Sequence, residues 1–458
     1  MLTRSRMWRI NRPGSASSKG SYPMTAFNGS MNIAELRCFI PVGGQAKRLR
    51  PLTNDISKPC VRFLNRPLLE FPMASLAEQG VRNFIFGEGG YTNYTNLFDQ
   101  YGEGIGFSAK YQIQPRVHIK HQPNLDDLGS ADSYRLNVEY YDVHAPVLVI
   151  QGDNLFELEL RDFIRTHEEH GAMMTIALTR VEQVEQYGIA DLGPDMRIKR
   201  FIEKPAAAEA PSKLANAGIY LLSPEVREIV AGEEIRRLRE ARGRLDFGFD
   251  FIPYLVDNGY PVYGYELAVW YDVGSPERYL KAMHDVLHGA LNIRVLEPKI
   301  APDRNVWVQG YSEDSIKRRE AIVRQYQERK LSIEGAALIG RHTRIGDFCT
   351  IADANIDNFC ILGESVRVER SAIMDAARIG NNVRITESII GRKVVVDSTP
   401  EQPTTIESDS VIGSAVTIGA GCSLIQTRVN PGLTIPTGLR YSGAFLVTAE
   451  DVVALAQR

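Results

Sequence analysis

The chain has 458 residues, too many for one ordinary core, so two or three domains are expected. Its composition, 44% hydrophobic and 24% charged, is that of a soluble globular protein, and a net charge of −3 argues against nucleic acid as the main partner. No apolar run approaches the roughly 20 residues needed to span a bilayer. The five cysteines (Cys38, Cys60, Cys349, Cys360, Cys422) are scattered and form no CxxC pair, the pattern of a reduced, cytoplasmic protein without structural zinc.

Residues 1–31 carry Arg4, Arg6, Arg9, Arg12 and Lys19 among Ser and Gly, with no acidic residue and no secretory apolar core. This stretch is read as a disordered extension, or as an upstream start with the true start at Met24 or Met31; a transit-like peptide has a similar make-up. From 36 to 42 an apolar run ends in Gly43-Gly44, which predicts a buried first strand entering a tight turn. Similar runs follow at 84–86, 147–150, 175–178 and 218–222, with helical stretches such as 68–79 and 160–170 between them. Alternating strands and helices predict an α/β domain over 32–290, with a mostly parallel sheet covered on both faces and ligands at the C-terminal strand ends.

Past Pro276 the pattern changes. Residues 277–287 and the highly charged 314–330 read as helices, and 291–335 as a helical linker. From Leu338 a six-residue period sets in. Ile339, Ile345 and Ile351 form one phased set, Ile373, Ile379 and Ile385 a second, and Ile406, Ile412, Ile418 and Leu424 a third. A branched aliphatic every six residues with glycine following it predicts a triangular β-solenoid over 336–430 and a tail over 431–458. The break at 397–405 is expected to protrude as a loop. A solenoid exposes flat faces and an open terminal coil, which predicts a homo-oligomer assembled through it.

The segment that carries chemistry is Gly43-Gly44-Gln45-Ala46-Lys47-Arg48-Leu49-Arg50-Pro51-Leu52-Thr53, followed by Ser57-Lys58-Pro59. A glycine turn after a first strand lets backbone N–H groups approach a nucleotide, and Arg48 and Lys58 supply cations suited to a triphosphate. This string resembles the signature GGxGxRLxPLT…KP of the nucleoside-diphosphate-sugar pyrophosphorylases, the sugar-1-phosphate nucleotidyltransferases. It departs from that signature at Ala46, where the family has a third glycine, and that position is expected to need an unusual backbone angle.

The resemblance runs on in order. Gln122-Pro123 with Leu128-Gly129-Ser130-Ala131 is similar to the base-binding segment, so Gln122, Gly129 and the turn at Val42, Gly43 and Gly44 are the implied nucleotide contacts. Gly152-Asp153-Asn154 and Trp270-Tyr271-Asp272-Val273-Gly274 resemble the two metal-binding segments, which makes Asp153 and Asp272 the implied Mg²⁺ ligands. Tyr187-Gly188-Ile189, Phe201-Ile202-Glu203-Lys204-Pro205 and Asn216-Ala217-Gly218-Ile219-Tyr220 resemble the sugar-binding elements. Gly188, Glu203 and Asn216 are the implied hexose contacts, and Lys204 the group that holds the sugar phosphate.

The resemblance implies a Rossmann-like mixed sheet followed by a left-handed parallel β-helix, and transfer of a nucleotidyl group from an NTP to a hexose-1-phosphate with release of pyrophosphate. The tail and the RLRPLT string look most like mannose-1-phosphate guanylyltransferases, which implies GTP and mannose-1-phosphate; glucose-1-phosphate with UTP, dTTP or ATP is the alternative. A catalytically silent nucleotide-sugar-binding regulator is the alternative of another class. An acetyltransferase in the β-helix would want a histidine base, and the expected solenoid offers His342 alone.

Overall fold

The computed structural model describes residues 31–44, 46–124, 126, 128–292, 299–301 and 303–456. The basic stretch at 1–30 lies outside the described residues, as does Gln45.

The first strand, Arg37–Val42, shows how the catalytic domain is layered. Successive side chains of a strand point to opposite faces. Cys38, Ile40 and Val42 therefore join one core with Leu76 and Phe86, while Phe39 joins the other with Tyr134 and Tyr220. Both faces are buried, so the run reads as continuously apolar. Asn83–Gly89 and Val147–Ile150 pair with this strand on either side in parallel, and His118–Asn124 extends the parallel set from Asn83–Gly89.

Beyond Val147–Ile150 the sheet becomes mixed. Leu214–Leu222 runs antiparallel to it and hands the ladder to Gly188–Leu192, then Ile198–Glu203. Met174–Arg180 and Val262–Glu266 pair beside Leu214–Leu222 and complete nine strands. The four parallel strands end together at Val42, Gly89, Asn124 and Ile150, and that shared edge is where an α/β sheet receives ligands.

The helix Pro276–Leu287 starts on Ser275, whose hydroxyl accepts from the Arg278 N–H, with proline in the first turn where no N–H is needed. A short strand Val306–Val308 and the helix Glu313–Gln327 lead into the solenoid. Its strands run from Leu331–Ile339 to Phe445–Leu446, further at both ends than the expected 336–430, and the expected tail folds as further coil and a helix, Ala449–Ala454.

The reason is the coil length. Ile351 stacks on Val368 and Val368 on Ile385, a repeat of 17 residues, whereas Ile333 to Ile351 and Ile406 to Leu424 span 18. The inward positions advance by six, six and five, the short step falling from Ile351 to Ile356, Val368 to Ile373 and Ile385 to Ile390. Each short step shifts the phase, so a strict six-residue count passes over Leu362, Val368 and Val396, and beyond Leu424 over Val429, Ile435, Tyr441 and Leu446. All are buried in one continuous core. Residues 397–404 form the protruding loop, closed by reciprocal Thr399–Gln402 backbone hydrogen bonds.

Helices cover both ends of this coil stack. Glu313–Gln327 packs Ile322 and Tyr326 against the first coil, and Ala449–Ala454 packs Val452 on the last, where the Tyr441 hydroxyl donates to the Val452 carbonyl.

The catalytic domain docks on one outer face of the solenoid. Leu338, Ala372, Ile389 and Val411 stand in register along that face and share a buried cluster with Phe63, Tyr279, Met283 and Val286. Arg62 crosses the seam to pair with Asp357 and Asp375. No helix among the described residues is long and apolar enough to cross a membrane. All five cysteines are buried and form no disulfide, and burial pushes the Cys60 thiol up to about 12.

Candidate active site

The first strand delivers Gly43 and Gly44 to the sheet edge, and Gly44 takes φ +80°, a conformation that costs glycine little. Ala46 stands in the left-handed region too, at φ +40°, so the residue that replaces the signature's glycine keeps a backbone glycine favours, at a cost of about 1 kcal/mol. Its carbonyl is held by the Thr53 hydroxyl at 3.0 Å.

This turn forms one wall of a cavity of about 400 Å³. Of the residues implied by the sequence, Val42, Gly43, Gly44, Arg48, Lys58, Gly129 and Asp153 line it. Gly129 precedes the helix Ser130–Tyr140 with φ +104°, and a Cβ there would meet the Leu245 carbonyl oxygen at 2.4 Å. Gln122 does not line the cavity. It pairs with Gly87 inside the sheet, and Asn124, two residues nearer the edge on the same face, takes its place. The Asn124 amide donates to the Ser133 hydroxyl at 2.8 Å.

Two carboxylates meet at one end. Asp153 follows the strand Val147–Ile150, and Asp272 ends the strand Trp270–Asp272, which pairs antiparallel with Asn154–Phe156 so that Asp272 lies opposite Asn154. Residues some 120 positions apart are thereby neighbours. Lys58 Nζ lies 2.6 Å from Asp153 Oδ2 and 3.8 Å from Asp272 Oδ1, so one ammonium spans both. Arg48 stands 3.7 Å from Asp272, and Arg278 donates to the same carboxylate at 2.5 Å. Asp153 Oδ1 is buried and has no hydrogen-bond partner.

A buried carboxylate oxygen without a partner, beside a second carboxylate within reach of the same ammonium, is an all-oxygen donor set that suits a hard divalent cation. The residues present therefore fit such an ion.

Sequence reasoning passed over Arg278 and Gln186. The Gln186 side-chain oxygen accepts from both Arg48, at 3.2 Å, and Arg278, at 2.5 Å, and so gathers two cations about Asp272. The available signal was position: Arg278 lies in the first turn of a helix that starts on proline, six residues after Asp272. Tyr187 also donates to Asp272, at 3.4 Å, and burial together with that negative charge pushes its hydroxyl up to about 12.

The residues implied for the hexose form a neighbouring group that does not line the cavity. Gly188 sits directly opposite Glu203 in antiparallel register. Burial raises the Glu203 carboxyl above its ordinary range, opposed by Lys204 and reinforced by Asp246, itself a cavity residue. Lys204 Nζ lies 3.7 Å from Glu203 and over the Phe249 ring, on a backbone with φ +48°. Asn216 donates to the Tyr220 hydroxyl at 2.8 Å and accepts from the Gly218 N–H at 2.8 Å, so its side chain is fixed by its own strand.

A Cβ on Gly188 would meet Phe201 Cζ at 2.4 Å and Glu203 Oε2 at 2.5 Å. Gly188→Ala is therefore expected to displace Glu203 and to cost about 1–3 kcal/mol of stability by overpacking. Denaturant unfolding of Gly188→Ala beside the wild type measures this loss.

Comparison with known proteins gives the class. A family model described as nucleotidyl transferase matches residues 39–289, and one described as the EIF2B subunit epsilon LbH domain matches residues 319–424. The chain belongs to the nucleotidyl transferase family, with a β-helix of the LbH type joined to the catalytic domain.

Among curated relatives it is similar to the UTP–glucose-1-phosphate uridylyltransferase of Synechocystis sp., 27% identical over 372 residues, 80% of this chain and 89% of that protein. It is similar to the mannose-1-phosphate guanyltransferase of Pichia angusta, 27% identical over 406 residues, 88% of this chain and 96% of that one. The catalytic subunit beta of mannose-1-phosphate guanylyltransferase from Danio rerio is 26% identical over 387 residues, 79% of this chain and all (100%) of that protein.

Proposed function

We propose that the chain is a sugar-1-phosphate nucleotidyltransferase that joins the nucleotidyl group of an NTP to a hexose-1-phosphate, giving an NDP-sugar and pyrophosphate. The observation that carries this reading is the meeting of Asp153 and Asp272 on Lys58 at the end of a cavity walled by the glycine turn. A sugar phosphate oxygen attacks the α-phosphorus in line, and pyrophosphate leaves. The attacking group is already an anion, so no protein base is needed and the work is alignment and charge neutralisation.

In this reading backbone N–H groups of Gly43 and Gly44 face the nucleotide, and Arg48 and Lys58 offset the triphosphate charge. Asp153 and Asp272 would hold a divalent cation, Mg²⁺ in our assignment, which when bound draws charge from the phosphate oxygens. Glu203 and Asn216 accept and donate to sugar hydroxyls, and Lys204 holds the sugar phosphate. A binding-only role fits less well, because Arg48, Lys58, Asp153 and Asp272 are all present and lie within one cluster.

For the substrate pair we favour GTP and mannose-1-phosphate, supported by likeness to the Pichia angusta and Danio rerio proteins along most of the chain. UTP with glucose-1-phosphate is the second reading, supported by the likeness to the Synechocystis protein. The test is pyrophosphate release across the common NTPs against mannose- and glucose-1-phosphate. The favoured pair is expected to lead the others in kcat/KM by at least tenfold. A lead for UTP with glucose-1-phosphate replaces the substrate assignment, and no release with any pair refutes the enzymatic reading.

A further inference from the structure

A second cluster of metal-type ligands lies across the domain seam. His284 and His288 are four residues apart, one at the end of the helix Pro276–Leu287 and one just past it, and so share a face. Their rings stand 4.4 Å apart between centroids. Asp353, on the solenoid strand Cys349–Ile356, meets them from the other domain, with Oδ1 2.7 Å from His288 Nε2. One ligand atom from each of the three lies within 4.8 Å of the other two. Atoms bound about a tetrahedral Zn²⁺ at about 2.0–2.1 Å would be roughly 3.3 Å apart, so rotamer-scale adjustment closes the set.

The surroundings fix these side chains. His284 Nδ1 lies 3.2 Å from Asp285 Oδ1, which leaves Nε2 for ligation. Asp285 is itself held by Lys281 at 2.5 Å and by the Tyr271 hydroxyl at 3.2 Å. A carboxylate behind a ligating histidine is the usual device that sets its tautomer and ring orientation. Asp353 accepts the Ala336 N–H at 2.9 Å, and a Cβ at Gly335, where φ is +65°, would meet its Oδ1 at 2.1 Å. The chain therefore keeps space for this carboxylate. The side chains of His288 and Asp353 are 40% and 27% exposed, enough for water to complete a coordination shell.

We propose that His284, His288 and Asp353 form a binding site for a borderline-soft divalent transition metal of the Zn²⁺ type, which clamps the helix Pro276–Leu287 to the β-helix. Two imidazoles and one carboxylate suit Zn²⁺, whereas Mg²⁺ selects an all-oxygen set such as Asp153 with Asp272. The clamp acts on the same helix whose first turn sets Arg278 against Asp272. It joins domains and takes no part in the chemistry.

The test uses the untagged full chain, stripped with chelator and titrated with Zn²⁺ by calorimetry, with Co²⁺ as a spectroscopic probe. One equivalent is expected to bind with micromolar or tighter Kd, to raise the melting temperature and to give a visible Co²⁺ band. His288→Ala should weaken binding roughly 100-fold or more. Asp353→Asn, which still accepts from Ala336, should also weaken it and abolish the Zn²⁺-dependent rise in melting temperature. Asp153→Asn should keep the tight equivalent, which separates this site from the catalytic one. No uptake by the wild type, or unchanged affinity in His288→Ala and Asp353→Asn, overturns the proposal and leaves a hydrogen-bonded clasp. Loss of the equivalent in Asp153→Asn alone assigns the metal to the catalytic carboxylates and overturns it equally.

Discussion

Asp153→Asn and Asp272→Asn are each expected to keep the fold and to lose turnover by roughly 10²-fold or more, the scale of losing one preorganised charge at a reacting centre. An amide is a far weaker ligand than a carboxylate for a hard divalent cation, and in the proposed reading that cation, once held, supplies the neutralisation that two reacting phosphates need. The structure sharpens the expectation. Lys58 is held by Asp153 at 2.6 Å and reaches Asp272 at 3.8 Å, so either substitution also loosens the lysine. Groups that share one partner couple, and the double variant should lose far less than the product of the two singles. Turnover measured against Mg²⁺ concentration in both singles and the double decides the matter. A single variant that runs at the wild-type rate at ordinary Mg²⁺ removes that residue from the site.

The largest stability loss is expected at the seam. Arg62 Nη2 donates to Asp357 Oδ1 at 2.8 Å, and the Asp357 side chain is only 1% exposed. Burial raises the Asp357 carboxyl, and Arg62 pulls it back. Arg62→Ala leaves that charge buried without a counter-ion, with the Asn358 N–H still donating to it, a loss of about 3 kcal/mol. The sign with pH follows. A carboxyl raised in the fold is penalised when ionised, so the variant's deficit should grow as pH rises above the ordinary carboxylate range and shrink as it falls below. Adding Asp357→Asn to Arg62→Ala should restore part of the loss at neutral pH. Denaturant unfolding of the three chains at two pH values measures this, and a deficit under about 1 kcal/mol for Arg62→Ala would show the pair to be incidental.

What the sequence revealed depended on how local each signal was. The first strand, its glycine turn and the left-handed position at Ala46 follow from neighbouring residues, and the structure has them at the expected places. The triangular solenoid was legible in its isoleucines, yet its extent was not, because a five-residue step recurs in several coils and breaks a six-residue count. Gln122 and Asn124 show another limit. Both lie on one face of one strand, and the sequence does not mark where that strand leaves the sheet. Arg278 and Gln186 stayed hidden for a third reason. Their meeting at Asp272 joins the 3-10 turn Val184–Gln186 to the start of the helix Pro276–Leu287, 92 residues further along the chain.

The helices that close the two ends of the coil stack bear on how copies of this chain can meet. An uncovered terminal coil presents unpaired N–H and C=O groups, a template on which a neighbouring ladder can be extended into a filament. Here Ile322 and Tyr326 plug one end and Val452 the other. With one flank already occupied by the catalytic domain, the outward rows through Arg367, Arg384 and Thr405 and through Arg344, Arg378 and Val395 remain. End-to-end extension of the ladder by a second copy would therefore first have to displace a packed helix, which leaves the lateral faces as the solenoid surface open to contact.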